Sequence, residues 1–232
     1  SFLTNTWKQI CLAFNNGYDE HLVFETLNEP RLRETNVEWW YNASDPLCKE
    51  AMEVINLFNQ TIVNTIRESG GNNAKRLIMC PSYCCSPEAA LNADFVIPKD
   101  PANNVGVAVH MYSPYEFAMN GTGTSKYNQK MASDLSYTFK KLEASFVKKG
   151  IPVYIGEYGA VNKDNTEDRI QWFNTFIRQT RKMGITCVLW DNQAFEKDSN
   201  GYTEKFGYYK RNEQTWFVPE ITETIMKAAA LE

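Results

Sequence analysis

Two short polar turns carry the residues best suited to chemistry. Asn28-Glu29-Pro30 closes an apolar run from His21 to Leu27, and Gly156-Glu157-Tyr158-Gly159 closes another, from Ile151 to Ile155. Proline after Glu29 pushes that residue out of helical geometry, so its carboxylate sits on a strand-ending turn. Three more apolar runs end in reactive or ligand-facing types: Arg76 to Cys80 before Tyr83, Val105 to Val109 before His110-Met111-Tyr112, and Ile185 to Leu189 before Trp190-Asp191-Asn192. His110 and Tyr112 occupy alternate positions of one strand and point the same way. Two glutamates facing one cavity suit hydrolysis of an acetal: one must be protonated to help the leaving oxygen, the other ionised to attack the sugar carbon. Mutual repulsion and partial burial can separate them by a few pKa units, each about 1.4 kcal/mol. Such chemistry requires no metal and no cofactor.

The elements that must position these residues follow from periodicity. Phe2, Leu3, Trp7, Ile10, Cys11 and Phe14 share one helical stripe, stopped by Asn15-Asn16-Gly17. A second helix, Ala51 to Arg67, turns Ile55, Phe58, Ile62 and Ile66 inward and ends at Gly70-Gly71. Ser86 to Leu91 reads as one short helix, followed by an ordered proline-containing loop to Asn104. Beyond the Gly-rich loop at 120–124, Met131 to Phe146 marks a long helix ended by Gly150. Asn165, with Asp168 three residues on, predicts a capped helix carrying Ile170, Phe173, Phe176 and Ile177. Pro219 opens a last helix through Met226. Five strands, apolar on both faces and alternating with helices, predict an α/β fold with a parallel sheet. In parallel α/β barrels the site lies beyond the carboxyl ends of the strands, so every turn named above falls on one rim.

Composition narrows the partners. The chain has 232 residues, 43 % apolar and 22 % charged, with a net charge of −4 and no basic block beyond Lys140-Lys141 and Lys148-Lys149. That excludes a disordered chain and disfavours nucleic acid. No apolar run reaches the roughly 18 to 20 residues of a membrane helix. Thirteen Phe, 12 Tyr and 6 Trp are more than a core alone usually needs, so some are expected to face a ligand. Cys11, Cys48, Cys80, Cys84, Cys85 and Cys187 lack zinc spacing and read as small buried thiols. His21, at a strand start, reads as structural. Asn42, Asn59 and Asn120 begin glycosylation-type triplets that chance explains. Ser1 without an initiator Met, and the Ala-Ala-Ala-Leu-Glu end, read as products of cleavage or cloning.

Leu22 to Arg31, LVFETLNEPR, resembles the acid/base signature of glycoside hydrolase family 5, the cellulase family. HMYSPY at 110–115, YIGEYG at 154–159 and LWDN at 189–192 follow in the family's order, and FGYYKR at 206–211 with Trp216 is similar to its endoglucanase branch. The resemblance implies a (β/α)8 TIM-type barrel and a retaining endo-β-1,4-glucanase. Glu29 would be the general acid/base and Glu157 the nucleophile. Asn28 would bind the 2-hydroxyl of the reacting sugar, His110 and Tyr112 would orient and ionise the nucleophile, and Trp190 would form the sugar platform. Trp39, Trp40, Tyr83 and Tyr115 are candidate outer platforms. A β-glucan-type plant polysaccharide is the implied substrate, with xyloglucan, mannan and xylan open, and the implied location is outside the cell or on its surface.

The same resemblance marks a departure. Family members place Asn-Glu at the end of the fourth strand, so residues 1–232 correspond to the third helix and strands 4 to 8: a single domain that is the C-terminal part of the barrel. An arginine and a histidine that the family supplies from early strands are absent with them. Five strands cannot close an eight-strand barrel, and an open sheet leaves two unpaired edges. The expectation is a homo-oligomer, or association with the N-terminal segment. The rival reading is a catalytically silent fragment that binds glycan or self-associates. An enzyme acting on a phosphorylated small molecule lacks any glycine-rich phosphate cradle.

Overall fold

The computed structural model describes residues 1–196 and 204–231. They belong to two compact units, Ser1–Val109 with Ser145–Tyr154, and His110–Ala144 with Ile155–Glu232.

In the first unit, α1 (Phe2–Ala13) is capped by Ser1, whose Oγ accepts the Thr4 N–H at 3.3 Å. Trp7 and Cys11 face inward against Phe24 of β1 (Phe24–Glu25) and against Ile62, Val63 and Ile66 of α2 (Pro46–Glu68). α2 starts five residues before Ala51, its expected start. Asp45 supplies the cap, accepting from Leu47 N–H at 2.8 Å and Cys48 N–H at 3.3 Å, and Pro46 takes the first helical position, where its missing donor costs nothing. β2 (Ile78–Pro81) runs parallel to β1, Phe24 opposite Ile78, and to β3 (Val105–Met111), Ile78 opposite Val105. All residues of β2 and β3 are buried, as a sheet covered on both faces requires. β4 (Val153–Tyr158) follows β3 in the sheet, and within this unit Val107 N–H donates to Pro152 O at 2.8 Å. The Tyr154 hydroxyl of β4 donates to the Glu25 carboxylate of β1. Side chains of the first and fourth strands touch because this part of the sheet is strongly curved.

Two buried arginines hold the lower loops of this unit. Arg76 is 2 % exposed and donates to the carbonyls of Asn15, Tyr18, Asp19 and Leu22 and to Asn73 Oδ1. Arg67 grips Asp100 through Nε at 2.7 Å and Nη2 at 2.8 Å. α3 (Pro87–Ala90) occupies the short helix expected there.

In the second unit, β4 pairs with β5 (Thr186–Leu189), and Trp190 N–H continues the ladder to Tyr158 O at 3.0 Å. β5 alternates between exposed and half-buried residues, unlike the doubly covered strands expected from its composition. α4 (Tyr115–Ala118), α5 (Gln129–Ser145), α6 (Thr166–Lys182) and α7 (Pro219–Ala230) complete the helices. Tyr158 stacks on Phe176 at 5.0 Å between ring centroids, Trp172 lies 4.8 Å and Phe139 4.9 Å from the same ring. Much of the aromatic excess therefore fills this core. Asn165 does precede α6, but its side chain accepts from Lys163 N–H and donates to Ser125 O, while Asp168 accepts from Tyr127 N–H. The expected reciprocal cap is not made, because loop donors claim both side chains. A hairpin of β6 (Tyr209–Lys210) and β7 (Thr215–Trp216) was not expected.

All six thiols are free, five of them buried and Cys187 half-buried. No helix among the described residues is long and apolar enough to cross a membrane.

Candidate active site

The first unit carries Glu29 on the turn after β1. Its φ is +44°, a left-handed conformation that strains any residue with a Cβ. Arg31 folds back beneath it: Nη1 donates to Glu29 O at 3.0 Å and lies 3.6 Å from the Glu29 carboxylate. Arg31 Nε donates to Glu38 Oε1 at 3.2 Å, and the guanidinium sits 3.9 Å over the Trp39 ring. The Glu34 N–H, then Arg31, hold the Glu38 carboxyl below its usual range. Asn28 is exposed beside Glu29, and Trp39 and Trp40 are exposed at 54 % and 59 %.

Tyr83 departs from its expected place. It is fully buried, accepting Leu32 N–H at 3.1 Å and donating to Val37 O at 3.0 Å, so it is no sugar platform. A polar edge was needed to satisfy loop backbone, and a phenol on an otherwise apolar ring provides it. Cys84 and Cys85 follow. Burial pushes the Cys84 thiol up to about 12 and the Cys85 thiol well above its ordinary value, so neither supplies a thiolate.

The second unit gathers the other set. Tyr112 Oη donates to the Glu157 carboxylate at 2.8 Å, and His110 Nδ1 lies 3.5 Å from the same oxygen. β3 and β4 extend beyond their expected ends, through Met111 and Tyr158, so His110 and Glu157 are set by strand backbone, and Tyr112 follows one residue past the end of β3. His110 is 7 % exposed, and Tyr112 packs edge-on against Phe206 at 5.4 Å. A phenol donor and an imidazole on one carboxylate fix its rotamer. Trp190 is 42 % exposed, and Tyr115 63 %. Asp191 steadies the turn after Trp190: burial opposes its ionisation, but N–H donors of Gln193 and Tyr209 prevail and hold its carboxyl low.

A carboxylate with a fixed rotamer can serve as a nucleophile or base, and Glu29 is a carboxyl held on a strained turn. Comparison with known proteins decides between the classes open to such groups. Residues 1–196 match the family described as Cellulase (glycosyl hydrolase family 5). The chain belongs to glycosyl hydrolase family 5.

Within family 5 the chain is 40 % identical over 218 residues to Endoglucanase 1 of Ruminococcus albus, covering 94 % of this chain and 50 % of that protein. A lichenase mutant from a Caldicellulosiruptor species, solved with cellotetraose, superposes with a TM-score of 0.93 at 39 % identity, over 98 % of this chain and 62 % of that one. A GH5-4 broad specificity endoglucanase from Ruminococcus champanellensis with bound cellotriose gives 0.87 at 44 % identity, over 97 % and 62 %. The fold is thus that of part of a family 5 (β/α)8 enzyme. The chain spans about half the length of the curated relatives it matches.

Sequence reading gave no site role to Arg31, Glu38 and Cys85 and named Asp191 only as part of a strand end, although all four hold the site turns. Arg31 was within the quoted LVFETLNEPR segment, and Asp191 within LWDN, so a signal existed for both. Nothing in local sequence pointed from Glu29 to Cys85, 56 residues away.

Proposed function

We propose that the protein containing this chain is a retaining endo-β-1,4-glucanase that cuts β-glucan-type polysaccharide by double displacement, with 1–232 forming the C-terminal part of one catalytic domain. Glu29 protonates the leaving oxygen and Glu157 attacks the anomeric carbon, after which Glu29 activates the water that releases the sugar. This requires the two carboxyl groups to meet across one cavity at about 5 to 5.5 Å. Asn28 binds the 2-hydroxyl, His110 and Tyr112 hold Glu157 ionised and aimed, and Trp190 stacks on the sugar face. Trp39, Trp40 and Tyr115 serve outer subsites. No metal or cofactor enters these steps. The carrying observation is the Tyr112 hydrogen bond to Glu157 at 2.8 Å, which suits a nucleophile better than a solvated loop carboxylate. Cellotetraose and cellotriose in the solved relatives support a β-glucan substrate class. A polymer too large to enter a cell places the enzyme's work outside it or on its surface.

A second reading, a silent fragment that binds glycan or self-associates, is favoured by one observation. A groove of about 980 Å³ in the first unit, lined by Phe2, Leu27, Leu47, Val54, Leu57 and Phe58, leaves large apolar side chains exposed. Reducing-sugar release from carboxymethyl-cellulose separates the two. The glucanase reading expects release by the chain and none by Glu157→Gln; equal behaviour of the two establishes the silent one.

A further inference from the structure

Three consecutive residues after β2 each hold one backbone group of the turn that carries Glu29. Tyr83 Oη accepts Leu32 N–H at 3.1 Å, Cys84 N–H donates to Pro30 O at 2.8 Å, and Cys85 Sγ accepts Glu29 N–H at 3.3 Å. The Tyr83-Cys84-Cys85 turn is itself strained, with φ of +55° at Cys84 and +52° at Cys85. Two successive left-handed residues bearing a Cβ are costly and persist only where surroundings over-determine them. Here the strain turns the Cys84 N–H and the Cys85 side chain toward one neighbouring turn, which is also left-handed at Glu29. Cys85 is fully buried, so it has no part in solvent or redox exchange. Its Sγ also lies within 4.8 Å of a Glu25 carboxylate oxygen, on the strand that leads into the Glu29 turn.

We propose that Cys85 is a positioning residue for Glu29: its sulfur, braced by the Cys84–Pro30 bond, holds the Glu29 backbone in the left-handed state that aims the carboxyl at the leaving oxygen. This rests on the glucanase reading for the role of Glu29, though the clamp itself does not. Alanine at position 85 removes the sulfur acceptor from this part-buried N–H, releasing the turn. Serine keeps an oxygen acceptor on a shorter arm.

The consequence is selective for proton donation. A leaving group of low pKa departs without an acid, whereas a sugar alkoxide does not. Cys85→Ala should lower kcat/KM at least about tenfold on a cello-oligosaccharide, toward the roughly 100-fold that a 1 Å misplacement costs, and change it less than about twofold on 2,4-dinitrophenyl cellobioside. Cys85→Ser should restore most of the loss. Cys11→Ala, which empties an equally buried thiol site in α1, should leave both ratios alone. Amide exchange of Glu29 in ¹⁵N-labelled protein should be faster in Cys85→Ala than in the parent or in Cys11→Ala. An equal loss on both glycosides, or an unaltered Glu29 exchange rate, overturns the proposal. If the parent chain cleaves neither glycoside, the silent reading holds for residues 1–232, and the exchange measurement alone still decides the clamp.

Discussion

Tyr112 contributes one hydroxyl, and its geometry assigns that hydroxyl a measurable share of catalysis. It donates to Glu157 at 2.8 Å from a part-buried site, and a hydrogen bond to a charged group is worth about 1.5 to 3 kcal/mol. Tyr112→Phe keeps the ring against Phe206 and removes only the donor. On carboxymethyl-cellulose kcat should therefore fall roughly 10- to 150-fold with the melting temperature little changed; an unaltered kcat would remove Tyr112 from the site. Legibility at this scale depended on chain distance. His110, Tyr112, Glu157 and Trp190 could be singled out because each closes an apolar run, and two of them, His110 and Tyr112, converge on the carboxylate of a third, Glu157. Tyr83 closes a run as well, yet it is buried and satisfies loop backbone from Leu32 and Val37. Residue type and strand-end position are shared by a platform and a strut; only the partner, about 50 residues away, tells them apart.

Between elements, the attachment of α2 to the sheet turns on one amide. Asn59 is fully buried on α2, accepts the Thr26 hydroxyl at 2.6 Å and donates to Pro81 O at 2.9 Å, joining the end of β1 to the end of β2. Its triplet therefore cannot accept a glycan in the folded chain. Asn59→Leu strands two buried polar groups and should cost about 2 to 5 kcal/mol in urea unfolding. Adding Thr26→Val should recover part of that loss; no recovery would show that the pair does not act as a unit. The Arg67–Asp100 clasp gives a pH signature. Two Arg67 hydrogen bonds, then N–H donors of Asn104 and Ala102, hold the Asp100 carboxyl below its ordinary 3.8. A depressed folded value means the contribution is complete above 3.8 and is lost as pH falls through the folded value. Asp100→Asn should flatten the decline of stability below about pH 5, read from urea midpoints, relative to the parent. Periodicity located α1, α2, α5, α6 and α7 because each buries one stripe. It missed β6 and β7, two residues each, whose pairing of Tyr209 with Trp216 comes from the partner strand and not from local composition.

At the scale of the whole molecule, the exposed apolar surface of the first unit demands a cover. Phe2 is 83 % exposed, Leu57 62 % and Leu47 60 %, and together with Val54 and Phe58 they line one groove. Monomers rarely leave such a contiguous patch in water, because burying it recovers about 25 cal/mol per Å². Within a chain studied alone, the available cover is a second copy. Multi-angle light scattering at micromolar concentration should therefore report a mass above that of one chain, rising with concentration. Leu57→Lys with Phe58→Lys should shift it to the monomer while leaving far-UV circular dichroism unchanged, since Leu57 is 62 % and Phe58 38 % exposed and contribute little to the unit's own core. A parent chain that stays monomeric and well folded across that range has no need of a partner on this face. The same variant separates assembly from chemistry: activity that survives in the monomer belongs to one chain's own Glu29 and Glu157, whereas activity lost with the oligomer makes assembly part of the catalyst.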